Sequence, residues 1–240
     1  MEESPERVAF SFYTNYNLIY CYYMKVDILV PTDLSEITLE QYQRFAKINT
    51  EENQETSFLM HKAVEVFCNL ELKDVAKIKY SYVKNILNDL NVLFERRGKL
   101  IPTFKLQGTE YGFIPVLDDM SLGEYVDLDE NLGDWETMHK AMSILYRPTT
   151  IKRDSKYQIE EYNGMGAADT MKQMPLNVVM GAMVFFYNLS NELLLTTLNF
   201  LNKELPSNLT MEQRQTLAES GVGIKVSTES LKGMLPSLMK

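Results

Sequence analysis

Over most of the chain, apolar residues return at steps of three and four, the spacing of helices that bury one face. Thr38 to Ile48 reads this way, with Leu39, Tyr42 and Phe45 on one side. Ser57 to Leu70 resumes it through Leu59, Ala63, Val66, Phe67 and Leu70. A third helix is expected over 74–96, with Asp74 as N-cap and a stripe through Val75, Ile78, Tyr82, Ile86, Leu90 and Leu93. Arg96 and Arg97 suit its C-terminal dipole, and Gly98 stops it. Two further helices follow at 121–131 and 134–146, the second ending at Arg147-Pro148.

Two places break this period. Lys25 to Val30 alternates as a strand and stops at Pro31. Leu100–Leu106 and Tyr111–Val116 flank the polar, glycine-containing turn 107–110, so a β-hairpin is expected there. Residues 149–170 read as a polar, exposed crossing, with a strand at Tyr157–Tyr162. A long helix then runs from Pro175 to Lys203, with proline in the first turn, where a missing N–H costs nothing. The expected fold is α+β and predominantly α-helical: several packed helices with a small antiparallel β-element, the N-terminal strand plus the hairpin near 100–116. Residues 1–23 form an aromatic arm, 24–148 a helical domain with the hairpin, and 149–205 the loop and long buried helix packed on it. Residues 206–240 are a tail with short helices.

The long helix also decides the membrane question. Gln173 to Asn191 holds nineteen residues without a charge, close to the ~20 of a spanning helix. Asn177, Asn188, Ser190 and Asn191 interrupt it, and its apolar positions continue through Leu201 to Lys203. A buried helix is therefore expected, and no membrane span. The start of the chain is acidic, with Glu2, Glu3 and Glu6, and lacks the basic and apolar regions of a signal peptide. Met24 opens a fresh strand and is a second candidate start.

Two stretches look like copies. Val30-Pro31 leads through an acidic turn and Ile37 to Thr38-Leu39-Glu40-Gln41-Tyr42. Ile114-Pro115 leads the same way through Met120 to Ser121-Leu122-Gly123-Glu124-Tyr125. In each, Thr38 or Ser121 caps a helix and Gln41 or Glu124, at its third position, completes a capping box, with Ile37 or Met120 at the staple position.

Charge narrows the function. The chain of 240 residues carries 24 Lys and Arg against 33 Asp and Glu, net −9. Such a surface repels a phosphate backbone, so direct nucleic-acid binding is not expected. Leu117 to Glu136 holds eight acids and no Lys or Arg. Within it Asp127-x-Asp129-x-Asn131 opens like a calcium loop, but Gly133 falls one place late and Met138 stands where a bidentate Glu belongs. Cys21 and Cys68 are too few for a disulfide framework, and His61 and His139 have no metal spacing. No phosphate-binding glycine loop or nucleophile elbow is present. No cofactor, metal or catalytic residue is therefore assigned. The competing class is an enzyme with an acidic cleft around Asp118, Asp119 and Glu124; carboxylates converging on one pocket would mark it.

Protein–protein contact remains. Fourteen Tyr, eleven Phe and fourteen Met favour adaptable interfaces. The candidate binding residues are Phe10, Phe12, Tyr13, Tyr16, Tyr20, Tyr22 and Tyr23 of the arm, followed by Met165, Met171, Met174, Met180 and Met183, for which a place in the core is the commoner use.

Three segments carry a family resemblance: Pro115 to Leu128, Ala141-Met142-Ser143-Ile144-Leu145-Tyr146-Arg147-Pro148, and the helix from Pro175 with Phe185-Phe186. Together, over about residues 24–205, they resemble virion-associated or tail-assembly proteins of tailed phages, those of the crAss-like phages of gut Bacteroides. The resemblance implies a non-enzymatic role in particle assembly, as a portal-, tail- or cargo-type virion component or as a transient tail-assembly chaperone. It implies other phage structural proteins as partners, and the virion or the infected host's cytoplasm as location.

Overall fold

The computed structural model describes residues 17–20, 27–54, 56–96, 98–154 and 156–203. The fold is α+β and helix-rich, as expected, and one apolar cluster runs from Ile28 to Met183. Its β-structure lies in two parts. Strand β2 (Asp27–Val30) ends at Pro31 and pairs antiparallel with β1 (Asn17–Tyr20), Asn17 opposite Val30.

Helix α1 (Leu39–Ala46) buries Leu39, Tyr42 and Phe45. Helix α2 (Ser57–Phe67) closes with Asn69 in the left-handed region (φ 51°) and the Leu70 N–H bonded to Glu65 C=O at 3.1 Å, a Schellman closure. The single helix expected over 74–96 is instead two, α3 (Leu72–Val75) and α4 (Tyr80–Phe94). Asp74 lies inside α3, where it pairs with Lys77, and Lys79 takes the N-cap position of α4. Geometry explains the break. α4 buries Val83, Ile86, Leu87, Leu90, Leu93 and Phe94. At 100° per residue, Ile78 in an unbroken helix would point roughly 120° away from the centre of that face.

The hairpin forms from β3 (Thr103–Leu106) and β4 (Thr109–Phe113). Its turn is only two residues, Gln107 and Gly108, both at positive φ (49° and 85°), the mirror-image turn whose twist matches the strands. The sheet does not stop there. After α5 (Leu122–Leu132) and α6 (Met138–Leu145), the chain passes directly into β5 (Tyr146–Arg153) and returns as β6 (Lys156–Ile159). The sheet order is β3-β4-β5-β6, antiparallel throughout. Arg147-Pro148 is thus a strand segment opposite Tyr111 and Gly112, and much of the expected polar crossing is a hairpin. Its outer half is exposed, so no apolar alternation marked it. The Tyr157 ring covers Gly112, where a Cβ would come within 2.5 Å of it, and the Tyr157 hydroxyl donates to Phe113 C=O at 2.8 Å.

Helix α7 (Ala168–Met171) and the segment after it lead into α8 (Leu176–Lys203). Burial along α8 is complete only at its start, through Leu176, Val178, Val179, Met180, Ala182 and Met183; Leu193 and Leu195 are exposed. At Gly181 the backbone of Lys99 crosses so closely that an added Cβ would lie 2.3 Å from the Lys99 carbonyl oxygen. Among the described residues no helix is long and apolar enough to cross a membrane. The tail helices expected at 206–240 lie outside the described residues.

Candidate functional site

The two sequence copies are two strand-to-helix junctions of the same construction. Each passes from a proline through a 3-10 turn, Leu34–Glu36 in the first and Leu117–Asp119 in the second. Each then enters its helix through a complete capping box. In the first, Thr38 N–H donates to Gln41 Oε1 at 2.9 Å and Gln41 N–H to Thr38 Oγ1 at 3.2 Å. In the second, Ser121 N–H donates to Glu124 Oε2 at 2.7 Å and Glu124 N–H to Ser121 Oγ at 3.3 Å. The third helical residue is buried in both, and there it reaches a neighbour. Gln41 Nε2 donates to Val66 C=O at 2.8 Å, closing the end of α2. Glu124 Oε1 pairs with Arg147 Nη2 on β5 at 2.8 Å, both side chains largely buried.

What covers the junctions differs. The first is roofed by the chain's own segment 172–176. Leu39 N–H donates to Met174 C=O (2.9 Å), Glu40 N–H to Lys172 C=O (2.8 Å), and Leu176 N–H to Ile37 C=O (2.8 Å). This forms a small antiparallel bridge between Thr38 and Pro175. The matching groups of the second junction, Leu122 N–H, Gly123 N–H and Met120 C=O, have no hydrogen-bond partner among the described residues. Leu39 is wholly buried, whereas Leu122 is 79% exposed; Tyr42 is 6% exposed and Tyr125 60%. Val116 and Val126 are also outward. Leu122, Tyr125 and Val126 stand at i, i+3 and i+4, one outward apolar face on α5.

Beside this face the chain at Ile114–Pro115 separates two hollows. One, of about 150 Å³, includes Val116, Met120, Glu124, Arg147 and Ile159 in its lining. The other, of about 360 Å³, includes Leu100, Phe113, Tyr157 and Phe185. Arg147 Nε is buried without an acceptor among the described residues. Of the acids in the 117–136 stretch, Asp119 and Glu124 border the smaller hollow and Asp118 the larger. Asp118, Asp119, Asp129, Glu130, Asp134 and Glu136 are exposed over several turns, Glu136 pairs with Lys47 (2.6 Å), and Asp127 accepts from the Tyr162 hydroxyl. Burial and that Asp127 contact push Tyr162 up to about 12. The calcium-like spacing lies inside α5, where Asn131 Nδ2 donates back to Asp127 C=O, so those residues do not form a loop.

Elsewhere, a cleft of about 400 Å³ between α1 and α6 is bordered by Arg44, Lys47, Lys140 and Lys172 as well as Glu40 and Glu136. His139 lines it, 3.1 Å from Gln43 Nε2; burial first, then the charge of Lys172, hold this imidazole below its ordinary range. Burial raises the Cys68 thiol to about 12, far from a reactive thiolate. Among the described residues no group of three His, Cys, Asp or Glu is placed to hold a metal.

Of the aromatic arm, Phe10, Phe12, Tyr13, Tyr16, Tyr22 and Tyr23 lie outside the described residues, and Tyr20 is the last residue of β1. Met171, Met174, Met180 and Met183 are core, with Met165 half-buried against it. The outward face of α5 was missed. Its only sequence signal was the repeat itself, which holds a second Leu and Tyr at the positions buried in the first copy. No family model, curated protein or solved structure matches this chain.

Proposed function

We propose that this protein acts by binding other proteins, as a non-enzymatic component of a phage particle. The observation that carries the binding reading is the outward apolar face of Leu122, Tyr125 and Val126 on α5. Large apolar side chains grouped on one exposed face are characteristic of surfaces that bury against a partner. The spread of the neighbouring acids supports the same reading. Asp119 and Glu124 border one hollow and Asp118 the next, but Glu124 is committed to its capping box and to Arg147, so the three carboxylates are not free to work together as an acidic active site would need. The phage setting, with portal, tail or capsid-associated proteins as partners, rests on the resemblance of residues 115–128, 141–148 and the α8 helix.

Quantitative mass spectrometry of gradient-purified particles of the encoding phage, beside the soluble fraction of the infected lysate, tests this. Stoichiometric peptides in the particle are expected. Peptides confined to the lysate would remove the virion reading and leave the transient assembly chaperone.

A further inference from the structure

We propose that Asn163 is a site of spontaneous covalent modification, converted in the folded protein to aspartate and isoaspartate through a succinimide formed with Gly164. It is independent of the protein-binding reading above and stands or falls without it.

The reaction asks two things of the chain. The backbone nitrogen that follows the asparagine must be unhindered, and its hydrogen must be free to leave. Asn163-Gly164 is the one Asn-Gly pair in the 240 residues, and glycine brings no Cβ against the reacting nitrogen. The fold leaves the pair open. Both residues are exposed, in the stretch between β6 and α7 that has no regular secondary structure. Gly164 stands at φ 95°, with no atom within 4 Å of the place a Cβ would take. Neither its N–H nor the Asn163 side chain has a hydrogen-bond partner among the described residues.

Other asparagines differ in the nitrogen that follows them. Thr50 N–H donates to Ile48 C=O (2.9 Å), Gln54 N–H to Thr50 C=O (3.2 Å) and Leu70 N–H to Glu65 C=O (3.1 Å). The nitrogens after Asn49, Asn53 and Asn69 are thereby held from attack.

The step balances with water alone. The Gly164 nitrogen gives its proton to hydroxide and attacks Asn163 Cγ. The Cγ–Nδ2 bond breaks, and that nitrogen takes a proton from water and leaves as ammonia. A second water opens the ring at Cγ to give aspartate, or at the Asn163 main-chain carbonyl to give isoaspartate. Either product adds one negative charge, and isoaspartate also adds one carbon to the main chain.

The position gives the change a consequence. On one side the Tyr162 hydroxyl donates to Asp127; on the other, Asn131 Nδ2 donates to Met165 Sδ at 3.8 Å. The altered bond thus lies between two contacts that hold this stretch to α5. The new charge falls one residue from Tyr162, on which the charges of Asp127 and Glu124 already act.

The test incubates the full chain at about pH 8.5 and about 37 °C, beside a sample unfolded in guanidinium chloride, and follows tryptic peptides by mass spectrometry. Cleavage after Lys156 and Lys172 isolates residues 157–172, in which Asn163 is the one asparagine. This peptide should gain about 1 Da and split into two chromatographic forms, one of them a substrate for isoaspartyl methyltransferase. Its rate in the folded protein should lie within about threefold of the rate in the unfolded chain, because the fold protects neither reacting group. In the folded protein the peptides carrying Asn49, Asn53 and Asn69 should change at least about tenfold more slowly. Asn163→Gln, at an exposed and unpartnered position, cannot close the five-membered ring and should abolish the gain. A rate at Asn163 that folding slows by about tenfold or more would show the pair to be shielded and overturns the proposal. So does a gain that persists in Asn163→Gln, or one that appears first at another asparagine.

Discussion

Gln41 and Glu124 hold the same place in two capping boxes and differ by one atom, and their surroundings explain the choice. Gln41 must donate to Val66 C=O, which a carboxylate cannot do. Glu124 must neutralise the largely buried Arg147, which an amide cannot do. Gln41→Ala should cost about 2 kcal/mol in urea unfolding, from one lost box bond and one unpaired buried carbonyl. Gln41→Glu should cost more than Gln41→Ala, although it is the smaller change in shape. Glu124→Gln preserves the box yet strands the guanidinium, and should cost about 3 kcal/mol. Equal, small effects for both isosteric exchanges would contradict this account. His139 adds a pH dependence. Burial and the charge of Lys172 lower its affinity for a proton, against the opposing pull of Asp169. The unfolded chain therefore binds that proton more readily. The contribution is complete above the ordinary value near 6.5 and is lost as pH falls through the lower folded value. His139→Gln should shrink the difference in urea midpoint between about pH 7.5 and about pH 5.5.

Among the elements, those with a buried face and a strong cap were legible. α1, α2, α5 and the hairpin all follow from apolar spacing and from Thr, Ser or Gly at their ends. The hairpin turn places Gln107 at positive φ, where asparagine is better tolerated. Gln107→Asn should raise stability by about 0.5 kcal/mol in thermal unfolding. Two features were not legible, for different reasons. The break before α4 leaves the count of apolar residues intact and shifts only their angle, and Asp74 is as good a cap residue in sequence as one that is used. The β5–β6 hairpin is stabilised by pairing with β4 and by Tyr157 over Gly112, long-range contacts that leave no period in its exposed, charged outer half. α8 was legible as a helix, but its contact with the 99–100 backbone was not. Gly181→Ala should cost about 2 kcal/mol, because the obstacle is backbone and cannot swing aside.

For the whole molecule, the sequence announced helix-rich α+β and an acidic stretch, but not which apolar residues would remain outside. Thr38-Leu39-Glu40-Gln41-Tyr42 and Ser121-Leu122-Gly123-Glu124-Tyr125 read almost alike. Their burial diverges because segment 172–176 bonds over Leu39 and the rings of Phe94 and Trp135 pack on Tyr42, while the second copy has no such cover among the described residues. That difference is a property of the assembled fold. It also makes the outward face separable from stability, since Leu122 contributes little to the interior. Leu122→Asp should therefore leave the unfolding midpoint within about 0.5 kcal/mol of the parent. The most direct test of the proposed role in a phage particle is the copy number of this protein in gradient-purified particles, measured by quantitative mass spectrometry for the parent chain and for Leu122→Asp. The account predicts a fixed copy number for the parent and depletion of the variant from particles, with soluble, folded variant left in the lysate. Equal incorporation of the two would contradict it.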